Sequence, residues 1–124
     1  LGKLFDAYIT DRKVFRCTSD TAVSETNVLG LSSTDNTTFT ASTCSYGYDD
    51  NHTAANDPGV AIAADAKGTG TTLSDNHNQK GQNVLYIDGH VEWKGTSTCG
   101  FYNGSTYDNI WAGTGGGTDT AILQ

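Results

Sequence analysis

Two of the three histidines lie in one short stretch, NHNQKGQNVLYIDGHVEW, which covers residues 76–93. His77 and His90 stand on either side of a carboxylate, Asp88, which is followed by Gly89. Histidine and aspartate side chains together can bind a metal ion or transfer protons. The same stretch can also form a tight β-hairpin in which these side chains only support the turn. The spacing of the residues decides between the two interpretations.

The Asp-Gly pair favours the hairpin, because this dipeptide is strongly preferred at the centre of type I′ turns. A two-residue turn at Asp88 and Gly89 also sets the register of the flanking strands. It opposes four pairs of residues: Ile87 and His90, Tyr86 and Val91, Leu85 and Glu92, and Val84 and Trp93. Since opposed residues share a face of the sheet, this register predicts one apolar face that contains Val84, Tyr86, Val91 and Trp93.

The hairpin interpretation assigns structural roles to the titratable residues of the stretch. Asp88 is predicted to form the turn, with its side chain accepting hydrogen bonds from nearby backbone amides. Trp93 is predicted to lie in the core, and His90 on the opposite face of the sheet. We expect His77 to dock by hydrogen bonds against the end of the hairpin. The competing role for His77 is that of a metal ligand or a base.

The three cysteines have no CxxC spacing and no neighbouring histidine, which disfavours a closed zinc site and favours a disulfide. We expect Cys17 to pair with Cys44, because each borders an apolar, strand-like segment, KVFRC and CSYGY. The bridge would close the polar loop between them and contribute about 3 kcal/mol in the chain-entropy model. The competing assignment pairs Cys44 with Cys99; otherwise Cys99 is unpaired or paired across chains.

An acidic loop indicates a candidate calcium site, and calcium is the only cofactor that the sequence suggests. The loop carries Asp49, Asp50 and Asp57, together with Asn51 and Asn56. These side chains supply the hard oxygen ligands that calcium prefers. The loop lacks the D-x-[DN]-x-[DN]-G spacing, however, and loops rich in Asp and Asn are usually solvated turns.

Other polar and aromatic residues could mark the surface. Asn36, Asn51 and Asn103 each begin an N-x-[ST] triplet and are therefore glycosylation candidates. Five aromatic residues could form a platform for glycans, although aromatic residues in a small β domain more often belong to its core: Tyr46, Tyr48, Tyr102, Tyr107 and Trp111. For Trp111 a contact between subunits is a further hypothesis.

The sequence contains no G-x-S-x-G, no phosphate-binding loop and no H-E-x-x-H motif. We therefore expect a protein that is not an enzyme. A small hydrolase is a third-ranked alternative, and it would have only His77, His90 and the scattered aspartates as catalytic groups.

The composition narrows the class of protein. The chain has 124 residues, which fits a single domain over 1–124. Its 7 Lys and Arg residues against 14 Asp and Glu residues give a net charge of −7, which argues against nucleic acid or an anionic membrane as partner. With 15 glycines, one proline and no methionine, it is typical of a loop-rich extracellular β domain. No run approaches the roughly 18 apolar residues of a membrane span, and no basic start followed by an apolar stretch marks a signal peptide, so we expect any export signal or anchor to precede Leu1.

The periodicity of the chain predicts an α+β fold. Leu1, Leu4, Phe5 and Tyr8 have the spacing of one helical face, so residues 1–10 are predicted to be a short helix or the end of a longer one. Strands are predicted at 13–17, around 27–31, at 44–49 and at 59–65, within a region of strands and long polar loops over 13–65. A loop and hairpin follow at 76–94, and a C-terminal loop and tail at 95–124, with a glycine run at 113–117. The sheet would be antiparallel and packed on the N-terminal helix.

The run of residues 76–93 resembles the signature of bacterial pilin-like proteins that are named for a prepilin-type processing-associated H-X9-DG motif. The similarity continues in LGKLFDAYITDRKVFRCTSD, SYGYD, AIAAD and CGFYNGSTYDNIWAG, and it covers most of the chain except residues 21–43. Two departures stand out. Ten residues, not nine, separate His77 from Asp88, and the hydrophobic N-terminal helix of that group, with its processing site, is not in this sequence.

The resemblance implies a pilin or pseudopilin, in which a β-rich head coats a filament built from packed N-terminal helices. The filament would be of the type IV pilus or type II secretion kind. The expected partners are further copies of the chain and other pilin-like subunits, and the expected location is extracellular, on the cell surface or periplasmic. A disulfide suits such an oxidising location. The alternative function is an adhesive surface module that binds calcium or carbohydrate.

Overall fold

Six short strands form two antiparallel sheets in the computed structural model, which describes residues 1–69, 73–112 and 122. The larger sheet has the strand order β1-β2-β3-β4, and the smaller sheet consists of β5 and β6. The strands are β1 (Tyr46–Tyr48), β2 (Ala61–Asp65), β3 (Gln82–Tyr86), β4 (Val91–Lys94), β5 (Thr98–Tyr102) and β6 (Tyr107–Asn109). The strands predicted at 44–49 and 59–65 contain β1 and β2.

Both sheets contribute to one hydrophobic core, here called the sheet core. Val84 and Tyr86 of β3 are 0% and 4% exposed, and they alternate with more exposed neighbours as a strand with one buried face requires. The complete set is Ala61, Ala64, Val84, Tyr86, Cys99, Ile110, Trp111 and Ile122. Burial of each large aliphatic side chain contributes about 1.5–3 kcal/mol.

A second core gathers the first 45 residues, which contain no strand. Phe15 contacts Phe5 and Phe39 edge-on, with ring centroids 6.0 and 5.3 Å away. This N-terminal core consists of Phe5, Phe15, Val23, Val28, Leu31 and Cys44, with Leu1, Ile9, Phe39 and Tyr46 packed against it. Apolar residues scattered through the polar segment 21–43 therefore hold that segment in place.

The first ten residues form turns, which contradicts the predicted N-terminal helix. Asp6 has a left-handed φ of 68°, a conformation that an α-helix of L-residues does not contain. Of the predicted apolar face, only Phe5 is buried, and Tyr8 is 82% exposed. Short helices are marginal in water unless an apolar face packs against the rest of the protein. Only the Phe5 side chain of this segment is fully buried, so a turn that buries Phe5 is favoured over a helix.

Two of the predicted strands are also wrong. The segment 13–17 lies mostly in a 3₁₀ turn, Arg12–Phe15, whose cap Asp11 accepts a hydrogen bond from the Lys13 amide. The segment around 27–31 follows or overlaps a single helical turn, α1 (Glu25–Val28), which Ser24 caps by accepting from the Asn27 amide. In both places a side-chain cap stabilises a turn locally, and short apolar runs do not reveal this preference.

The predicted α+β class is therefore incorrect. The described chain consists of two antiparallel sheets with one helical turn and three 3₁₀ turns, and no N-terminal helix packs on the larger sheet. The predicted C-terminal loop instead contains the β5–β6 sheet, while the glycine run at 113–117 lies outside the described residues. Within the described ranges, no helix has the length and apolar character needed to cross a bilayer.

The β3–β4 hairpin forms where the sequence predicts it, but its register differs by one residue. The observed pairs are Gln82 with Lys94, Asn83 with Trp93, Val84 with Glu92, and Leu85 with Val91. The turn has three residues, because Tyr86 rather than Ile87 bonds to His90. The Gly89 amide donates to the Tyr86 carbonyl at 2.9 Å, and Gly89 has a φ of 89°. This combination is a type I turn followed by a left-handed glycine.

The one-residue shift exchanges the faces of β4. Trp93 is 47% exposed and Val91 63% exposed, so the predicted apolar face of Val84, Tyr86, Val91 and Trp93 does not exist. Val84 and Tyr86 face the sheet core without them. His90, predicted on the opposite face, instead stacks on Tyr86 with ring centroids 4.4 Å apart.

The turn predicts a specific cost for replacing Gly89. Gly89→Ala should lower the free energy of unfolding by about 1 kcal/mol, because an L-residue is strained in the left-handed region. A Cβ at this position meets no atom within 4 Å, so the loss would come from the backbone alone. Gly89→Asn should lose less, since Asn tolerates this conformation. Urea unfolding followed by circular dichroism measures both.

Gly95→Ala is the matched control for this prediction. Its Cβ would meet the Lys80 carbonyl at an ordinary 3.8 Å, and its φ lies outside the left-handed region. We expect a change within about 0.5 kcal/mol. Equal losses for Gly89→Ala and Gly95→Ala would contradict the left-handed conformation of Gly89 in the turn.

Candidate functional site

A buried carboxylate lies where the two cores meet. Asp65, the last residue of β2, is opposite Tyr46 of β1 and is 1% exposed. Its Oδ2 atom accepts from the Asn83 amide at 2.7 Å and from the Asn83 side chain at 3.1 Å. Its Oδ1 atom accepts from Asn76 Nδ2 at 3.2 Å. These hydrogen bonds compensate the cost of burying the carboxylate.

The 3₁₀ turn Asp75–His77 brings His77 to the same carboxylate. Ser74 caps the turn by accepting from the Asn76 amide, and the left-handed residues Asn78 and Gln79 end it. His77 Nε2 lies 3.0 Å from Asp65 Oδ2. This hydrogen bond to β2 holds His77 beside Asn83 at the open end of the hairpin, and Asn83 Nδ2 lies 3.4 Å from His77 Nε2.

Trp93 covers the imidazole of His77. The two rings meet edge to face with centroids 5.1 Å apart. The His77 side chain keeps 23% of its exposure, so solvent still reaches it. Trp93 can lie there because the observed register places it opposite Asn83, on the face of the sheet that His77 approaches.

Cys17 completes the cluster. It follows the 3₁₀ turn of residues 12–15, is partly buried, and places its Sγ atom 3.8 Å from His77 Nε2. Donor atoms of Cys17, Asp65 and His77 all lie within 4.8 Å of one another. Within the described part of the chain, no other group of three His, Cys, Asp or Glu residues meets this condition. We call these three residues the junction site.

Tyr46 lies next to the junction site, and its pKa is raised. Burial raises the pKa of Tyr46 to about 12, and the nearby Cys17 and Asp65 add to the increase because negative charge on them disfavours a phenolate. Tyr46 therefore stays neutral around the junction site at physiological pH.

The geometry does not match a Cys-His-Asp catalytic relay. In such a relay one imidazole nitrogen contacts the nucleophile and the other contacts the carboxylate. Here the same atom, His77 Nε2, faces both Cys17 Sγ and Asp65 Oδ2. The three side chains converge on one point and do not form a chain.

The cysteines are thiols in the structure, so neither expected disulfide is formed. Cys17 lies against His77, while Cys44 donates to the Tyr46 carbonyl in the N-terminal core. Cys99 lies in the sheet core with Gln82 Nε2 4.0 Å from its sulfur. The structure shows neither the pairing of Cys17 with Cys44 nor the alternative of Cys44 with Cys99, and the connectivity stays a prediction. Tertiary packing gives each cysteine its own environment, which sequence spacing does not reveal.

The acidic loop does not gather Asp49, Asp50 and Asp57 around one point. Asp49 is 2% exposed, and its carboxylate accepts from the amide of Asn51 and contacts His52 Nε2 at 3.0 Å. Asp57 accepts from the Gly59 amide within its own turn. Asp49 and Asp57 therefore support the local turns of the loop.

The sequence did not identify several buried titratable residues. His52 forms a buried pair with Asp49. Asp108 is 7% exposed, and among the described residues neither of its carboxylate oxygens has a hydrogen-bond partner. Asp65 itself could have been suspected, because AIAAD ends an apolar strand on a charge. No sequence signal links Cys17 to His77, 60 positions away.

The surface candidates differ in their surroundings. Asn103 Oδ1 accepts from two amides of the β5–β6 turn, and the Asn51 side chain donates to Asp49. The side chain of Asn36 lies outside the described atoms. None of this tests glycosylation, which stays a prediction for all three.

The five aromatic residues do not form one platform. Tyr102 and Tyr107 are paired across the small sheet, are about half exposed, and place their ring centroids 5.0 Å apart. Trp111 is 8% exposed and belongs to the sheet core, which leaves little of it for a contact between subunits. Tyr46 and Tyr48 are partly buried in β1.

Comparison with family models, with curated proteins and with solved structures finds no match for this chain. The resemblance to the pilin-like group therefore stays a prediction.

The contacts of His77 predict a stability loss on its removal. His77→Ala should lower the free energy of unfolding by about 1–3 kcal/mol, because Asp65 loses a partner in a buried place. His90→Ala is the control, since His90 and Asp88 form a similar pair that is about half exposed and solvent-screened. Its loss should be clearly smaller. Equal losses in urea unfolding would show that the contact with Asp65 is not stabilising.

The three thiols should differ in reactivity. Burial raises the pKa of Cys99 to about 11 and also raises the pKa of Cys44, so both hold little thiolate at pH 8. We expect iodoacetamide to alkylate the partly exposed Cys17 first, and Cys44 and Cys99 only after unfolding. Because the pKa of Cys99 is raised, any native-state labelling of it should increase as the pH rises towards 11. Peptide mass spectrometry measures each site, and a disulfide between Cys17 and Cys44 would contradict this order.

Proposed function

We propose that this chain is the globular head of a pilin-like or pseudopilin subunit that works by assembling into a filament outside the cytoplasm. The observation that carries the proposal is the exposed apolar surface of β4. Val91 and Trp93 lie two residues apart on the same face of an edge strand, and they are 63% and 47% exposed. Large apolar side chains on a sheet edge are typical of surfaces that contact another protein.

The small sheet offers a second surface of the same kind. Tyr102 and Tyr107 are 49% and 56% exposed and lie opposite each other. Tyrosine is enriched at protein interfaces, because it buries a large apolar ring and keeps a polar tip. Two such surfaces on one head would let it contact neighbours in a filament.

The residues that carry the resemblance have structural roles that suit a head domain. His77 attaches the loop before β3 to Asp65, and Asp88 accepts from the His90 amide at 3.0 Å while Gly89 completes the turn. Hydrogen bonding by the amide and side chain of His90 lowers the pKa of Asp88, so Asp88 stays charged and keeps these bonds. The motif then serves to hold the hairpin in place.

The filament proposal is tested in the cells that produce the protein. We expect the chain in the fibres sheared from the cell surface, detected by immunoblot and by immunogold electron microscopy. Val91→Asp should reduce the amount recovered in fibres by about tenfold, equivalent to about 1.4 kcal/mol at a contact. The purified chain should sediment as a monomer, because packed N-terminal helices would hold such a filament together.

Leu29→Asp is the matched control. Leu29 is 56% exposed and is the C-terminal cap of α1, which belongs to neither sheet. The same charge placed there should leave fibre recovery unchanged. Recovery of the chain only as a dispersed protein, or equal fibre levels for both variants, would refute the proposal.

A further inference from the structure

The junction site brings three Lewis bases to one point, and a single imidazole nitrogen faces the other two. His77 Nε2 carries at most one proton. If that proton points to Asp65 Oδ2 at 3.0 Å, the nitrogen has no lone pair for the Cys17 thiol at 3.8 Å. If the nitrogen is unprotonated, it can accept from the thiol, but its lone pair then lies near the carboxylate. A single cation at the common point would attract all three atoms.

The distances are close to those of a metal site. With bond lengths of about 2.3 Å to sulfur and about 2.0–2.2 Å to nitrogen and oxygen, tetrahedral zinc separates its ligand atoms by about 3.4–3.6 Å. The observed separations are 3.8 Å from Cys17 Sγ to His77 Nε2 and 3.0 Å from Nε2 to Asp65 Oδ2. The third pair, Cys17 Sγ and the Asp65 carboxylate, also lies within 4.8 Å.

The charges and the supporting contacts also fit a divalent ion. A thiolate at Cys17 and the carboxylate of Asp65 carry two negative charges, which one divalent cation neutralises in a place where Asp65 is 1% exposed. Asn76 and Asn83 hold the carboxylate from other directions. Such second partners orient metal ligands and are a regular feature of metal sites.

We propose that Cys17, Asp65 and His77 form a zinc-binding site. Sulfur and imidazole ligands select zinc over calcium, which prefers oxygen alone. Three protein ligands leave the fourth position of a tetrahedral ion open, and solvent reaches the site at His77. The ion would join three distant segments: Cys17 lies 48 positions before Asp65, and His77 lies 12 positions after it. It would attach the N-terminal core to the larger sheet, whether or not the chain assembles into a filament.

The test uses the whole chain after treatment with reductant and chelator, both then removed. Calorimetric titration with Zn²⁺ should give one site per chain, and the melting temperature should rise with Zn²⁺. Co²⁺ should produce a thiolate charge-transfer absorption. Ca²⁺ should give neither heat nor a rise in melting temperature.

Cys17→Ser and His77→Gln should each weaken Zn²⁺ binding by about tenfold or more, and Cys17→Ser should abolish the Co²⁺ absorption. His90→Gln is the matched control, because His90 contacts a carboxylate but no cysteine. It should bind Zn²⁺ like the wild type. Unchanged binding in Cys17→Ser, loss of binding in His90→Gln, or no binding by the wild type at millimolar Zn²⁺ would each overturn the proposal.

A measurement on the unaltered chain covers the case in which a variant does not fold. Zn²⁺ should slow the alkylation of Cys17 by iodoacetamide by about tenfold or more, because a metal-bound thiolate is no longer available as a nucleophile. Ca²⁺ at the same concentration should have no effect. An equal alkylation rate with and without Zn²⁺ would show that Cys17 is not a ligand.

Discussion

The buried carboxylate of Asp65 is the constraint on which the arrangement of the two cores depends. A carboxylate that is 1% exposed must be compensated by hydrogen bonds, and its partners come from Asn76, His77 and Asn83. The loop before β3 is therefore fastened to the end of β2. Asn76 also donates to the Ser45 carbonyl at 2.8 Å, which ties the start of β1 to the same place. Satisfying one charge thus fixes the relative positions of segments that are distant in the chain.

The register of the hairpin determines what surrounds that carboxylate. With Trp93 opposite Asn83, its ring lies against His77 and stays half exposed. The register predicted from a two-residue turn would have turned Trp93 towards the sheet core, away from His77. A two-residue type I′ turn needs left-handed φ at both Asp88 and Gly89, but only Gly89 adopts it, so the turn takes three residues. The backbone conformation of these two residues therefore decides the environment of the junction site. The exposed surface of β4, on which the filament proposal rests, has the same origin.

The two cores show why the predicted helix and strands near the N-terminus do not form. Spacing at 1, 4, 5 and 8 predicts an amphipathic helix, yet Phe5 packs edge-on against Phe15 from a turn. Packing of three phenylalanine rings and caps at Asp11 and Ser24 outweigh weak local preferences in this segment. The strands of the larger sheet were easier to predict, because the alternation and the turn residues that bound them are local properties.

The sequence by itself determined the acidic, glycine-rich character of the chain, the positions of β1 and β2, and the existence of a hairpin around Asp88 and Gly89. Each of these follows from composition or from residues that are neighbours in the chain. Only the tertiary structure decided the register of the hairpin, the separate environments of the cysteines, and the meeting of Cys17 with Asp65 and His77. The physical reason is that burial and hydrogen bonding between distant segments decide such features, and local patterns carry no information about which distant segments will meet.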